Sequence, residues 1–115
     1  VSQARSFASR ILSQWGVISD EVVLVTSELA TNAVLHGKAT FTVSLHKRED
    51  CIRVEVADVG PGEPSMIRGA SVMAASGRGL AIVAQVAEKW GVLPSGQGKT
   101  VWAELPCRPR QDRRL

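Results

Sequence analysis

The sequence predicts an α+β fold, a two-layer sandwich in which helices cover one face of a mixed, mostly antiparallel sheet. Three observations carry this. Apolar residues recur with a helical period in the first third of the chain. The period drops to two between Phe41 and Val56, and a second change from helix to strand follows Gly79. The predicted order is helix, helix, strand, strand, long loop, helix, strand, strand. No internal repeat and no linker interrupts it, so residues 1–106 read as one domain. Residues 107–115 read as a basic, disordered tail.

Each element has a local cause. Ala4, Phe7, Ala8, Ile11, Leu12 and Trp15 fall at offsets 0, 3, 4, 7, 8 and 11, one apolar stripe on an amphipathic helix that Gly16 ends. Ser19 is placed as an N-cap, and Asp20 and Glu21 occupy a first turn where the helix dipole favours acids. That helix is expected to run to about His36 and stop at Gly37. Phe41, Val43 and Leu45 then alternate with polar residues, as do Ile52, Val54 and Val56 beyond the polar 47–50 stretch, predicting two antiparallel strands and a short turn.

A Gly-, Pro-, Ser- and Ala-rich segment from about Val59 to Ser76 is too long for a plain connector and reads as a lid. Gly77–Gly79 opens a helix with Leu80, Val83, Ala87 and Trp90 on one face. A strand near Trp90–Leu93, a Gly96–Gly98 turn and a strand Thr100–Leu105 complete the domain.

Composition narrows the function classes. Of 115 residues, 44% are hydrophobic and 22% charged, the balance of an ordinary globular domain. No apolar run approaches the ~20 residues of a membrane span and no signal peptide opens the chain, so a cytoplasmic protein is expected. The chain begins at Val1 rather than Met, as a trimmed chain or fragment would. Cys51 and Cys107 are not spaced as a metal site and read as reduced thiols. The net charge is +3, but Arg108, Arg110, Arg113, Arg114 and Asp112 all lie in the tail. Subtracting them from 14 basic and 11 acidic residues leaves ten of each, so no direct nucleic-acid contact is expected.

Three segments carry chemistry, each with two readings open. Glu28 and Asn32 lie four apart on one face of the second helix. They suit Mg²⁺, which takes oxygen ligands, and a carboxylate that deprotonates a hydroxyl, or else they form a polar stripe. Asp58 continues the inward phase of Ile52, Val54 and Val56, where a carboxylate is costly without a hydrogen-bond donor such as a purine amino group. Gly60 and Gly62 would let a flat ligand approach, or Asp58 and these glycines simply form a turn. Gly77, Arg78 and Gly79, ahead of Leu80, open a helix whose free N–H groups suit an anion, or serve as a flexible joint.

In order, Glu28-x-x-x-Asn32, Asp58-x-Gly60-x-Gly62 and Gly77-x-Gly79 resemble the N, G1 and G2 boxes of the GHKL ATP-binding superfamily, over about residues 4 to 105. The small size and short lid look like its anti-sigma-factor serine/threonine kinase branch, and the stretches 27–37 and 77–83 look like the small ATPase-like regulators of actinobacteria. The resemblance implies ATP and Mg²⁺ as cofactors. Asn32 would hold the metal, Glu28 would be the general base, and Asp58 would accept from the adenine amino group. Gly60 and Gly62 would shape the purine pocket, and Gly77, Arg78, Gly79 and Leu80 would meet the phosphates. Arg5 matches a position that meets the partner, which would be a sigma factor or an anti-anti-sigma protein, and a homodimer is possible.

The chain departs from the pattern in two places. Members often carry Gly-Thr at the start of the last strand, whereas here Lys99 stands between Gly98 and Thr100, in the inward phase of Val101, Ala103 and Leu105. They also begin with a strand before the first helix, so an edge strand is expected to be missing. The expected activity is phosphoryl transfer to a protein serine, with a non-catalytic, nucleotide-dependent binding module as the alternative. A histidine-kinase catalytic domain is disfavoured because no dimerisation helix with a phosphoacceptor histidine is present.

Overall fold

The computed structural model describes residues 2–35, 40–59, 79–96 and 98–107. Helix α1 (Ser2–Trp15) is followed by α2 (Asp20–Leu35), strands β1 (Phe41–Lys47) and β2 (Cys51–Asp58), helix α3 (residues 79–86), and strands β3 (Lys89–Ser95) and β4 (Gly98–Pro106). His36, Gly37 and the expected lid lie outside the described residues, as do the tail arginines.

The helix boundaries follow from their end groups. At the end of α1, Gly16 takes φ 72°, its N–H donates to Ser13 O at 3.1 Å, and the Val17 N–H donates to Leu12 O at 2.9 Å. This is the paired closure that satisfies the last carbonyls of a helix. Ser19 caps α2 as predicted, its Oγ accepting the Val22 N–H at 3.1 Å, with Asp20 and Glu21 in the first turn. Unlike α1, which buries Ala4, Ala8 and Leu12, α2 is buried on most of its circumference. It packs against α1 and the sheet together, and such a central helix must be apolar nearly all round.

The sheet runs β1-β2-β4-β3, and all its described pairings are antiparallel, where the sequence predicts a mixed, mostly antiparallel arrangement. Its helix-facing side contributes Ile52, Val54 and Val56 from β2 and Val101, Ala103 and Leu105 from β4. These pack with Leu12, Val22, Val25, Leu29 and Val83 into one core, so the helices share one face of the sheet. The other face carries Arg53, which donates to Glu55 at 2.7 Å and Glu104 at 2.8 Å and lies 4.2 Å over the Trp102 ring. A Cβ at Gly91 would stand 3.1 Å from that indole, so glycine there makes room for it.

Two sequence assignments are displaced. Trp90, expected both at the end of the helical face of Leu80, Val83 and Ala87 and at the start of the next strand, belongs to β3 opposite Ala103 and is 37% exposed, and Ala87 lies just beyond α3. Apolar spacing carries over from helix to strand at this junction, so period alone misplaces the boundary. Cys107, assigned to the tail, donates its N–H to Asp50 O at 3.0 Å and packs against the core. Both cysteines are free, and burial pushes the Cys51 thiol up from its ordinary pKa. Among the described residues no helix is long and apolar enough to cross a membrane.

Candidate functional site

Of the four polar side chains buried among the described residues, Thr26 and Ser27 lie earlier on α2 than Asn32, and the Thr26 hydroxyl closes onto its own helix by donating to Val22 O at 2.8 Å. The other two, Asn32 and Asp58, meet in a single cleft. Its walls are Leu29, Asn32 and Ala33 from α2, Val56 and Asp58 from β2, and Lys99 and Val101 from β4. Helical spacing puts Leu29, Asn32 and Ala33 on one face, while the pleat carries Val56, Asp58, Lys99 and Val101 to the same side of the sheet.

Asp58 stands at the end of β2, between Phe41 of β1 and the position of Lys99 on β4, which continues the Ala57–Thr100 register by one pair. The strand phase therefore directs this carboxylate inward, and it is 6% exposed. Its Oδ1 is fully buried. A Cβ built on Gly98 would lie 2.5 Å from that oxygen and closer still to the Asp58 carbonyl oxygen. Glycine at 98 is what lets β4 come this near. The other oxygen, Oδ2, is 3.7 Å from Lys99 Nζ, an ion pair a little too long for a hydrogen bond.

Glu28 is half-buried one turn before Asn32. It faces the start of α3, where a Cβ added to Gly79 would come within 3.0 Å of Glu28 Oε1. Of the predicted residues, the structure brings Asn32 and Asp58 into the cleft and sets Glu28 against Gly79. Leu80 is half-buried and packs against the core rather than lining the cleft, while Arg5 is exposed on α1. Gly60, Gly62, Gly77 and Arg78 lie outside the described residues.

The site also contains two residues that sequence reasoning left off, Lys99 and Gly98. Strand phase already turned Lys99 inward, and only the register, which sets it beside Asp58, was missing. Gly98 matched the glycine that members carry before the last strand, but only the register shows that it lies over the Asp58 carboxylate.

The chemistry of this cleft is a buried carboxylate, a buried amide and one ammonium among apolar walls, a set suited to a flat, polar-edged ligand. The cleft is shallow and opens to solvent. The described residues supply the floor and walls of this shallow cleft.

Comparison with known proteins agrees with this architecture. Residues 1–105 match the family described as the histidine kinase-like ATPase domain. No curated protein and no solved structure gives a significant match. A match over that span, with three helices laid on one face of an antiparallel sheet, places the chain in the histidine kinase-like ATPase domain family, whose members are ATP-binding domains.

Proposed function

We propose that this chain is an ATP- and Mg²⁺-binding anti-sigma factor with serine/threonine protein kinase activity toward an anti-anti-sigma antagonist. The observation that carries the reading is the convergence of Asn32 and Asp58, one amide and one carboxylate, in a cleft otherwise walled by apolar residues and Lys99. Asp58 accepts from the exocyclic amino group of the base. Leu29, Ala33, Val56 and Val101 lie along the flat faces of the purine and exclude water from its edge.

Among the described residues no three His, Cys, Asp or Glu side chains converge as a metal site. Mg²⁺ would be carried chiefly by the nucleotide's own phosphates, with Asn32 as a protein ligand. The bound metal neutralises charge on the phosphates. Glu28, one turn from Asn32 on the same helix, orients the substrate serine and takes its hydroxyl proton as the oxygen bonds to the γ-phosphorus and ADP leaves. By the family resemblance, Gly77, Arg78, Gly79 and Leu80 would meet the phosphates, and Gly60 and Gly62 would shape the purine pocket. Arg5, exposed on α1, contacts the sigma factor or the antagonist.

Calorimetry with MgATP tests the binding step. Asp58→Ala is expected to weaken binding to the limit of detection, and Asn32→Ala to remove most of its magnesium dependence. Unchanged affinity in a folded Asp58→Ala variant would sink the reading. Transfer from radiolabelled ATP to candidate antagonist proteins, lost in Glu28→Ala, tests catalysis. Nucleotide bound with no transfer would point instead to a non-catalytic, nucleotide-dependent binding module.

A further inference from the structure

Lys99 is the one residue of the cleft that nucleotide binding through Asp58 and Asn32 leaves unused. Its ammonium lies 3.7 Å from Asp58 Oδ2, and its side chain is only 30% exposed. The Gly98 backbone crowds the buried Oδ1, so Oδ2 is the oxygen that an entering base would meet. Whatever edge approaches Asp58 therefore meets an acceptor and a full donor side by side.

We propose that Lys99 reads the base together with Asp58, and that it opens this site to 6-oxopurine nucleotides such as GTP and ITP as well as to ATP. This inference rests on the nucleotide-binding reading above. A carboxylate presents only acceptors. Alone, it takes the amino group of adenine, and a 6-oxopurine held in the same pose would set its oxo oxygen against the carboxylate, two acceptors facing each other. With an ammonium beside it, both edges are satisfied. For adenine, the amino group donates to Asp58 and N1 accepts from Lys99. For a 6-oxopurine, N1–H donates to Asp58 and the oxo group accepts from Lys99. The four-carbon stem and three rotatable donors of lysine let one ammonium serve either acceptor, which a short threonine could not do.

The surroundings favour this role over a plain counter-ion. Among the described residues the walls beside the pair are Leu29, Ala33, Val56 and Val101, so the charged groups lining the cleft are Asp58 and Lys99, with Asn32 on α2. In such a site a hydrogen bond to a charged group is worth about ten- to a hundredfold in affinity.

The test is calorimetry on the full chain with MgATP, MgGTP and MgITP, for wild type and for Lys99→Met, Lys99→Thr and Lys99→Arg. ITP carries the 6-oxo edge without the 2-amino group of guanine, so it isolates the contact in question. Wild type is expected to bind ITP and GTP within about tenfold of ATP. Lys99→Met and Lys99→Thr are expected to widen that ratio by a further tenfold or more, and Lys99→Arg to retain it. A ratio that is the same in wild type and in both Lys99→Met and Lys99→Thr overturns the inference, as does tighter ATP binding in those variants, which would make Lys99 a counter-ion that the base must displace. ATP binding that depends on Asp58 with no 6-oxopurine binding overturns only the role of Lys99. Wild type that binds none of the three nucleotides overturns the nucleotide reading with it.

Discussion

Gly98→Ala probes the closest approach in the site. The new Cβ would sit 2.5 Å from Asp58 Oδ1 and 2.7 Å from the Asp58 carbonyl carbon, where ordinary contacts begin near 3.4 Å. The carbonyl cannot swing away like a flexible side chain, so β4 must separate from the end of β2 by most of an ångström or the Asp58 carboxylate must turn out of place. Forcing a methyl into a packed region costs about 1–3 kcal/mol, and the lower chain entropy of alanine offsets roughly 0.5–1 kcal/mol of it. The net loss of about 1–2 kcal/mol corresponds to a fall in Tm of roughly 5–10 °C for a domain of this size. MgATP affinity should fall by about tenfold or more, because the displaced group is the one proposed to meet the base. Gly96→Ala is the control. That glycine has φ 61°, and no described atom lies within 4 Å of an added Cβ. It should cost about 1–2 kcal/mol of backbone strain yet leave affinity intact. Thermal melts and calorimetry on both variants decide the matter. A Gly98→Ala protein with wild-type Tm and wild-type affinity would refute the close approach and the placement of Asp58 that depends on it.

Two further outcomes follow from features outside the cleft. Ser19→Ala removes the oxygen that accepts the Val22 N–H and should cost about 1 kcal/mol in urea unfolding, with Ser19→Asp restoring most of it. The hydrogen bond from Arg53, 2.7 Å away, holds Glu55 below its ordinary pKa of 4.5. Because the folded-state value is depressed, this contribution is full above the ordinary value and is lost as pH falls through the lower folded value. Between pH 7 and pH 3, wild type should therefore lose up to about 1 kcal/mol more stability than Glu55→Gln, measured by urea midpoints.

The legible parts of this fold were those in which a local cause acts alone. Gly16 and Ser19 satisfy helix-end groups within a few residues of themselves, so both caps could be read directly from the sequence. Strand period assigned Ile52, Val54 and Val56 to the core, and the same alternation turned Asp58 and Lys99 inward. Period says which face a side chain takes but not which neighbour it finds. The meeting of Asp58 with Lys99 depends on the register of β2 against β4, and Gly98 matters only because that register brings it over the Asp58 carboxylate. Trp90 shows the complementary ambiguity, since its apolar spacing suited both the helix and the expected strand near Trp90–Leu93, and the strand takes it with the indole partly exposed.

The Asp58–Lys99 pair has a cost that the fold alone does not require. Asp58 is nearly buried, with a side chain 5% exposed, and Lys99 is mostly so. Withdrawing two charges from water consumes most of what their attraction returns, and apolar replacements of buried ion pairs are often neutral or stabilising by about 1–4 kcal/mol. A hydroxyl at such a position could close onto its own backbone, as Thr26 does. A carboxylate has only acceptors and cannot bond a carbonyl. If the pair is kept for ligand recognition, replacing both partners should leave stability intact and abolish function. Asp58→Leu combined with Lys99→Met is expected to unfold at a urea midpoint equal to or above that of wild type, and to bind no purine nucleotide. Lys99→Met alone should be less stable than the double variant, because it keeps the buried Asp58 carboxylate while removing the cation beside it. A double variant less stable than Lys99→Met would mean that the pair holds the ends of β2 and β4 together, and that its presence says nothing about a ligand.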